Sequence, residues 1–296
     1  MTVMVTGASG VVGDAVVRAL VDRDEVRATV RRSEAADRLR SLGAKVAIRE
    51  IDAPEDLADI LPRCHTLVHL VGGPNQSDDA GVISANYQST LVALAAAREA
   101  GVRRFILPSV PGSDPDAAHP YIRAKGLAEE AVAASGLEYA IVRATHVYGL
   151  GGLWFTAVVQ GSIAEPPFAP GDGLQPIAPL FADDLAAIIS HLDDRADSPA
   201  GTWGLEGPDV VTWDELIRRL RGDATPIEHA GGAPAAERLT DLLDIPVLES
   251  TATFFSAPSR ATDATDASSV FALVRTPIVA GLERTFARAA AHDDPG

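Results

Sequence analysis

Cysteine is almost absent from this chain: Cys64 stands alone among 296 residues. A single cysteine excludes an intramolecular disulfide framework and any all-cysteine metal site. Lysine is nearly as scarce. Lys45 and Lys125 are the only two, so 23 of the 25 basic residues are arginine. Positive charge is short overall, since 41 acidic residues against 25 basic give a formal net charge of −16. Nucleic-acid binders displace counterions with a basic face, and anionic membrane surfaces ask for the same. Neither class of partner is expected. No run approaches the roughly 18 apolar residues of a membrane span. Met1–Val5 enters a glycine-rich turn without the basic and long apolar regions of a signal peptide. The expected compartment is the cytoplasm.

What is present is an alternation. Short β-branched runs stand at Val3–Val5, Val26–Val30, Val46–Ile51, Thr66–Val71, Arg104–Leu107 and Glu138–Val142. Helical stretches separate them, among them Val11–Val21, Glu34–Leu42, Asp79–Ala100 and Tyr121–Ser135. Such alternation predicts an α/β fold, a parallel sheet with helices on both faces, over residues 1–150. Ligands of such sheets bind beyond the carboxyl ends of the strands. Past Gly149 the texture changes to glycine and proline. Asp183–Leu192 then reads as helix and Thr202–Leu205 as strand, so residues 176–205 are expected to return to the first domain. Residues 151–175 and 206–296 read as a smaller substrate-binding lobe, in which Thr212 and Glu215 spell a capping box. Ser250–Ser269, rich in Ser, Thr, Ala and Asp, reads as a long mobile loop over the substrate site.

Gly7-Ala8-Ser9-Gly10-Val11-Val12-Gly13 follows a strand and opens a helix. In that context the glycines allow a tight turn, a close approach to a pyrophosphate and close helix–strand packing, while helix amides hold the phosphates. An NAD-selective site wants a carboxylate at the end of the second strand to take the ribose hydroxyl. Here that end reads Val30-Arg31-Arg32-Ser33. Two guanidiniums suit a 2′-phosphate, so NADP(H) is expected before NAD(H). Asp52, ending the third strand, suits the adenine amino group or a cap for the helix that follows.

Tyr121-Ile122-Arg123-Ala124-Lys125 puts a phenol and an ammonium on one helix face. With two lysines and four tyrosines in the chain, only about 0.03 such pairs are expected by chance. A nearby ammonium, with a positive nicotinamide ring, favours phenolate and draws the tyrosine toward neutral pH. Such a tyrosine passes a proton to a carbonyl oxygen as hydride arrives.

With these stretches the chain resembles a short-chain dehydrogenase/reductase of the extended or atypical branch. It is similar to the NmrA-like proteins and to the accessory complex I subunit that shares their fold. Phe105–Val110, Val142–Gly149, Pro179–Ala186, Glu206-Gly207-Pro208 and Arg275–Ile278 carry the likeness further. The resemblance implies a Rossmann core with a small C-terminal substrate lobe. It implies that Tyr121 is the acid/base, Lys125 its helper and a ribose ligand, and Ser109 the hydroxyl that orients the substrate. It places Leu70, Val71 and Gly72 after the fourth strand, and Ala144, Thr145, His146 and Val147 after the sixth, against the cofactor. Two departures stand out. Val110 sits where extended members often carry the catalytic hydroxyl, with Ser113 as a substitute nearby, and Ala144 replaces the usual proline.

His65 and His69 lie four apart but on a strand, without a third ligand nearby, so no metal site is expected. The expected function is NADP(H)-dependent carbonyl reduction or alcohol oxidation on a small organic molecule, by a monomer or homodimer. One alternative is an epimerase or dehydratase that retains NAD(P). Another is a non-catalytic NADP(H)-binding regulatory or assembly protein.

Overall fold

The computed structural model describes residues 1–194 and 200–292. Twelve strands follow one another among the described residues. The first six are β1 (Thr2–Thr6), β2 (Glu25–Val30), β3 (Lys45–Ile48), β4 (Thr66–His69), β5 (Arg104–Ser109) and β6 (Glu138–Ala144). The rest are β7 (Val147–Tyr148), β8 (Phe168–Pro170), β9 (Leu180–Phe181), β10 (Gly201–Leu205), β11 (Glu228–Ala230) and β12 (Thr265–Asp266). Eight form one sheet in the order β12-β10-β6-β5-β4-β1-β2-β3, and every pairing in it is parallel. The order reverses between β1 and β4. Their carboxyl ends, Thr6 and His69, stand side by side at the switch point, where this Rossmann-type sheet opens a crevice.

Helices cover both faces, and the central strands β1, β4 and β5 are buried on both of their sides. On one face α1 (Val11–Leu20) and α7 (Ala182–Asp194) pack Val16, Val17 and Leu20 with Leu185, Ile188 and Ile189 against Val3, Val5 and Val68. Alanine lets the helices of the other face lie close: Ala93 and Ala97 of α4 (Ser89–Glu99) and Ala128 of α5 (Pro120–Ala133) meet Leu67, Phe105 and Ile141. Also helical in this half are α2 (Ser33–Ser41) and α3 (Asp79–Ile83).

A second apolar core gathers most of the aromatics. Trp154 and Phe155 of α6 (Leu153–Ile163), Trp213 of α8 (Trp213–Arg221) and Phe255 are all buried in it. It is completed by α9 (Gly232–Leu243), α10 (Glu249–Phe255) and α12 (Ile278–His292).

Three expectations change. The Asp79–Ala100 helix is interrupted, because Ser84–Gln88 form a π-helical turn between α3 and α4. Asn86 turns its amide inward there, and Ser89 and Thr90 return their hydroxyls to the carbonyls of Ala85 and Asn86. β3 stops at Ile48, and residues 49–52 leave the sheet. Ser250–Ser269 is not a loop: it carries most of α10, then β12 and α11 (Ala267–Val270). Composition misled because Thr251, Ala252 and Phe255 share one buried helix face, while the Thr251 hydroxyl donates to the distant Pro74 carbonyl and that of Ser268 to the nearby Asp266 carboxylate.

Candidate active site

A cleft of about 510 Å³ opens at the switch point, within the range of small-molecule sites. Gly7, Ser9 and Gly10 line it from the turn after β1, and Leu70, Val71 and Gly72 from the end of β4. Each glycine of the turn has its own reason. Gly7 has φ +70°, and a Cβ there would lie 2.7 Å from the Leu70 carbonyl carbon. A Cβ on Gly13 would strike Ala8 at 2.5 Å, so its absence lets α1 pack on the turn. Gly10 faces open space, and α1 starts behind it with no side-chain cap. Uncapped first-turn amides at an open cleft are an anion site. Thr29 adds a buried hydroxyl without a partner in the same wall. These features fit a dinucleotide.

Arg31 lines the outer end of the cleft, exposed, and has no ion pair among the described residues. Arg32 is exposed at the start of α2 but stands off the cleft. Arg49, which sequence reasoning missed, lines the cleft yet is committed to Asp59 at 2.7 Å. Glu50 and Asp52 complete that end. Asp52 does not cap the following turn. Asp56 does, accepting the amides of Asp52 and Ala53 at 2.9 Å, so the Asp52 carboxylate is not spent on that cap.

The π-helical turn supplies the far wall through Ser84, Ala85, Gln88 and Ser89. Asn86, also unforeseen, holds the turn after β4: its Oδ1 accepts from Gly73 N–H and its Nδ2 donates to the Gly73 and Val82 carbonyls. His69 links the two walls. Ser89 gives its single hydroxyl proton to Ala85, so His69 Nε2–H donates to Ser89 and Nδ1 accepts from Thr6. Burial, aided by the charge of Lys125, lowers this imidazole to about 3 and keeps it neutral. His65 points elsewhere, to the Thr2 carbonyl and Asp193, so the two histidines share no site.

Tyr121 and Lys125 lie on the buried face of α5. His119 accepts the Tyr121 amide and Pro120 opens the helix. Gly126 lets this helix face approach the chain, since a Cβ there would lie 2.2 Å from the Asp114 carbonyl carbon. Tyr121 packs in a small apolar cluster with Val82 and Val110, and Val82 lies between the cleft-lining Gly81 and Ser84. Lys125 Nζ donates to the Pro108 carbonyl at 3.0 Å and sits 5.9 Å from the centre of the tyrosine ring. Burial lowers the lysine to about 8, partly opposed by Glu129 one turn on. Burial also raises the Tyr121 phenol. The expected drift toward phenolate is absent here, because the ammonium turns to Pro108 and desolvation dominates. Ser109 donates to Ser113 at 3.0 Å, since Ser113 gives its own proton to Val110. Ser109 therefore faces Ser113, and Val110 holds the position in the tyrosine cluster.

The residues after β6 do not reach the cleft wall. Ala144 is core, and Thr145 donates to the Ala178 carbonyl at 2.6 Å. Val147 pairs with Leu180 in the small β7–β9 sheet. His146 is buried, its ring stacked on Trp154 at 5.0 Å. Val11 meets the Gly149–Gly152 turn, and Val12 joins the core under α1.

Residues 7–149 match the family described as NAD(P)H-binding. These residues make up just under half of the chain, and in them it is similar to the extended or atypical branch of the short-chain dehydrogenase/reductase superfamily. It is 28% identical over 230 residues to NADH dehydrogenase (ubiquinone) 1 alpha subcomplex subunit 9, mitochondrial, of Arabidopsis thaliana, covering 72% of this chain and 55% of that one. It is 36% identical over 108 residues to 4-hydroxy-2-methyl-3-oxo-4-farnesyl-3,4-dihydroquinoline-1-oxide ketoreductase of Stigmatella aurantiaca, covering 36% of this chain and 32% of that one. The chain thus spans about half or less of these curated relatives. The solved structure of MoeE5 in complex with UDP-glucose and NAD superposes with a TM-score of 0.74 at 20% identity, over 99% of this chain and 100% of that one. No helix among the described residues is long and apolar enough to cross a membrane.

Proposed function

We propose that this chain is an NADPH-dependent reductase that converts a ketone or aldehyde on a small organic molecule to the alcohol. The observation that carries the reading is the Tyr121–Lys125 pair, buried on one face of α5 beside the nucleotide cleft. Gly7, Ser9, Gly10 and the first amides of α1 would hold the pyrophosphate, Arg31 the 2′-phosphate and Asp52 the adenine. Bound NADPH supplies the hydride. The chain's own part is the proton. Burial keeps the Tyr121 phenol protonated, the form a carbonyl oxygen needs as it gains negative charge. Lys125 supplies positive charge beside that oxygen and, once turned from Pro108, a hydrogen bond for the ribose. Val110 leaves Tyr121 as the main polar contact for the carbonyl.

The test is NADPH titration followed by a carbonyl screen at the nicotinamide absorbance, with Tyr121→Phe as control. Tight NADPH binding with no Tyr121-dependent turnover on any carbonyl class would leave a cofactor-binding regulator instead.

A further inference from the structure

An aromatic row runs through the site. The Phe254 ring meets Tyr121 edge-on at 4.9 Å and 83°, and meets His146 edge-on at 5.0 Å and 87°. His146 in turn stacks on Trp154, and Trp154 meets Trp213 edge-on at 5.7 Å. Four of these five rings are buried side chains of the core, whereas Phe254 is only half-buried. Phe254 thus stands between the candidate acid and His146.

Its helix, α10, is fastened over the site by polar joints. Leu248 N–H donates to Asn75, Ser250 Oγ to Asp79 and Thr251 Oγ1 to the Pro74 carbonyl, while His119 Nε2 meets the Ser250 carbonyl. Thr251, Ala252 and Phe255 anchor the other face of α10 in the core. Phe254 can therefore swing out without unseating the helix. Two buried donor or acceptor atoms in the row, His146 Nε2 and Trp154 Nε1, have no partner. A buried polar atom left unpaired is costly, so both suit a ligand. The row holds no side chain that is charged at neutral pH, because burial holds His146 at about 3.

From this geometry we infer that Phe254 occupies the place of the substrate's own ring, and that the substrate is a flat aromatic or quinonoid ketone which displaces it. The inference rests on the reductase reading above and names its substrate class. A ring in that slot keeps the edge-on contacts to Tyr121 and His146. The unpaired His146 Nε2 and Trp154 Nε1 would be partners for its polar edge. A nucleotide sugar would instead bring a diphosphate to rings of which none is charged, and the ammonium beside Tyr121, Lys125, is turned to the Pro108 carbonyl.

The test is titration calorimetry of the full chain with menadione and with UDP-glucose, each with and without NADP+. Menadione is expected to bind the wild type. It should bind Phe254→Ala at least fivefold tighter, because no ring has to be displaced, and Phe254→Trp at least fivefold weaker. UDP-glucose should not bind at millimolar concentration. Equal menadione affinities across the three proteins, weaker binding to Phe254→Ala, no binding of menadione at all, or binding of UDP-glucose in its place would each overturn the inference. NADPH affinity should be the same in all three. A protein that binds NADPH and reduces some carbonyl through Tyr121, yet fails the ring titration, loses this inference and keeps the reductase reading. Failure to bind NADPH removes the reductase reading instead.

Discussion

Lys125 is a buried ammonium with one hydrogen bond, and that combination sets the pH behaviour of the site. Its value near 8 lies below the ordinary 10.5, so the charge is lost as pH rises through 8. Turnover should fall above that point, and Lys125→Arg should move the fall to higher pH. Tyr121→Phe keeps the ring and removes the proton, so it should cut turnover by about 10²–10⁴-fold with NADPH affinity nearly unchanged. Lys125→Ala should lower both. Identical effects of the two variants on cofactor affinity would contradict the separate roles. At the outer end, Arg31→Ala should cost about 1.5–3 kcal/mol of NADPH binding and little of NADH binding, while Arg32→Ala should leave the ratio nearly intact. Calorimetry with both nucleotides reads this directly. The Tyr–Lys spacing and the glycines were legible because helical period and tight-turn geometry are local. The Ser109–Ser113 bond was not, since a hydroxyl near a strand end carries no sign of which way it turns.

Among the elements, the interrupted helix between Asp79 and Glu99 shows what periodicity leaves out. Alanine-rich spacing fits one continuous helix, and nothing local marks Asn86 as the residue that opens it. The cause is tertiary: Asn86 must reach Gly73, thirteen residues back. Gly72 has φ +123°, and a Cβ on it would lie 2.2 Å from Asn86 Oδ1, so turn and amide are fitted to each other. Asn86→Ala removes three hydrogen bonds and leaves Gly73 N–H unpaired. The expected loss is about 1–3 kcal/mol in urea unfolding, together with weaker NADPH binding through a loosened Gly72 turn. Unchanged nucleotide affinity in a destabilised variant would restrict Asn86 to a scaffold role. The Ser250–Ser269 segment makes the same point in reverse. Polar composition suggested disorder, yet Phe255 and Ala252 needed only one apolar face opposite them, and Trp213, donating to the Phe255 carbonyl at 2.9 Å, provides it.

At the scale of the whole molecule, the parallel sheet was legible because six β-branched runs repeat at a regular spacing. At the edge, β10 was legible as the Thr202–Leu205 strand expected to return to the first domain, whereas β12 was not, because it is two residues long and lies far from β10 in sequence. Long-range burial also decides how the fold answers to acid. His69 and His146 are buried and neutral, each lowered to about 3 from an ordinary 6.5. Below pH 6.5 the unfolded chain takes up protons on both histidines and the folded chain does not. Their contribution is therefore complete above 6.5 and is lost as pH falls from there toward 3. At pH 5 the loss is about 2 kcal/mol for each histidine. The ion-paired carboxylates act later. Asp183 beside Arg288 and Glu206 beside Arg260 are held below their ordinary 3.8 and 4.5, so their contribution is lost as pH falls below about 4.5. Asp184, raised by burial, has the opposite sign. The two histidines alone should therefore make urea unfolding at pH 7.5 and pH 5.0 differ by about 4 kcal/mol. His69→Gln combined with His146→Gln should remove most of that difference while lowering stability at both pH values. A wild-type midpoint that stays constant between the two pH values would mean that these imidazoles are not held neutral by burial.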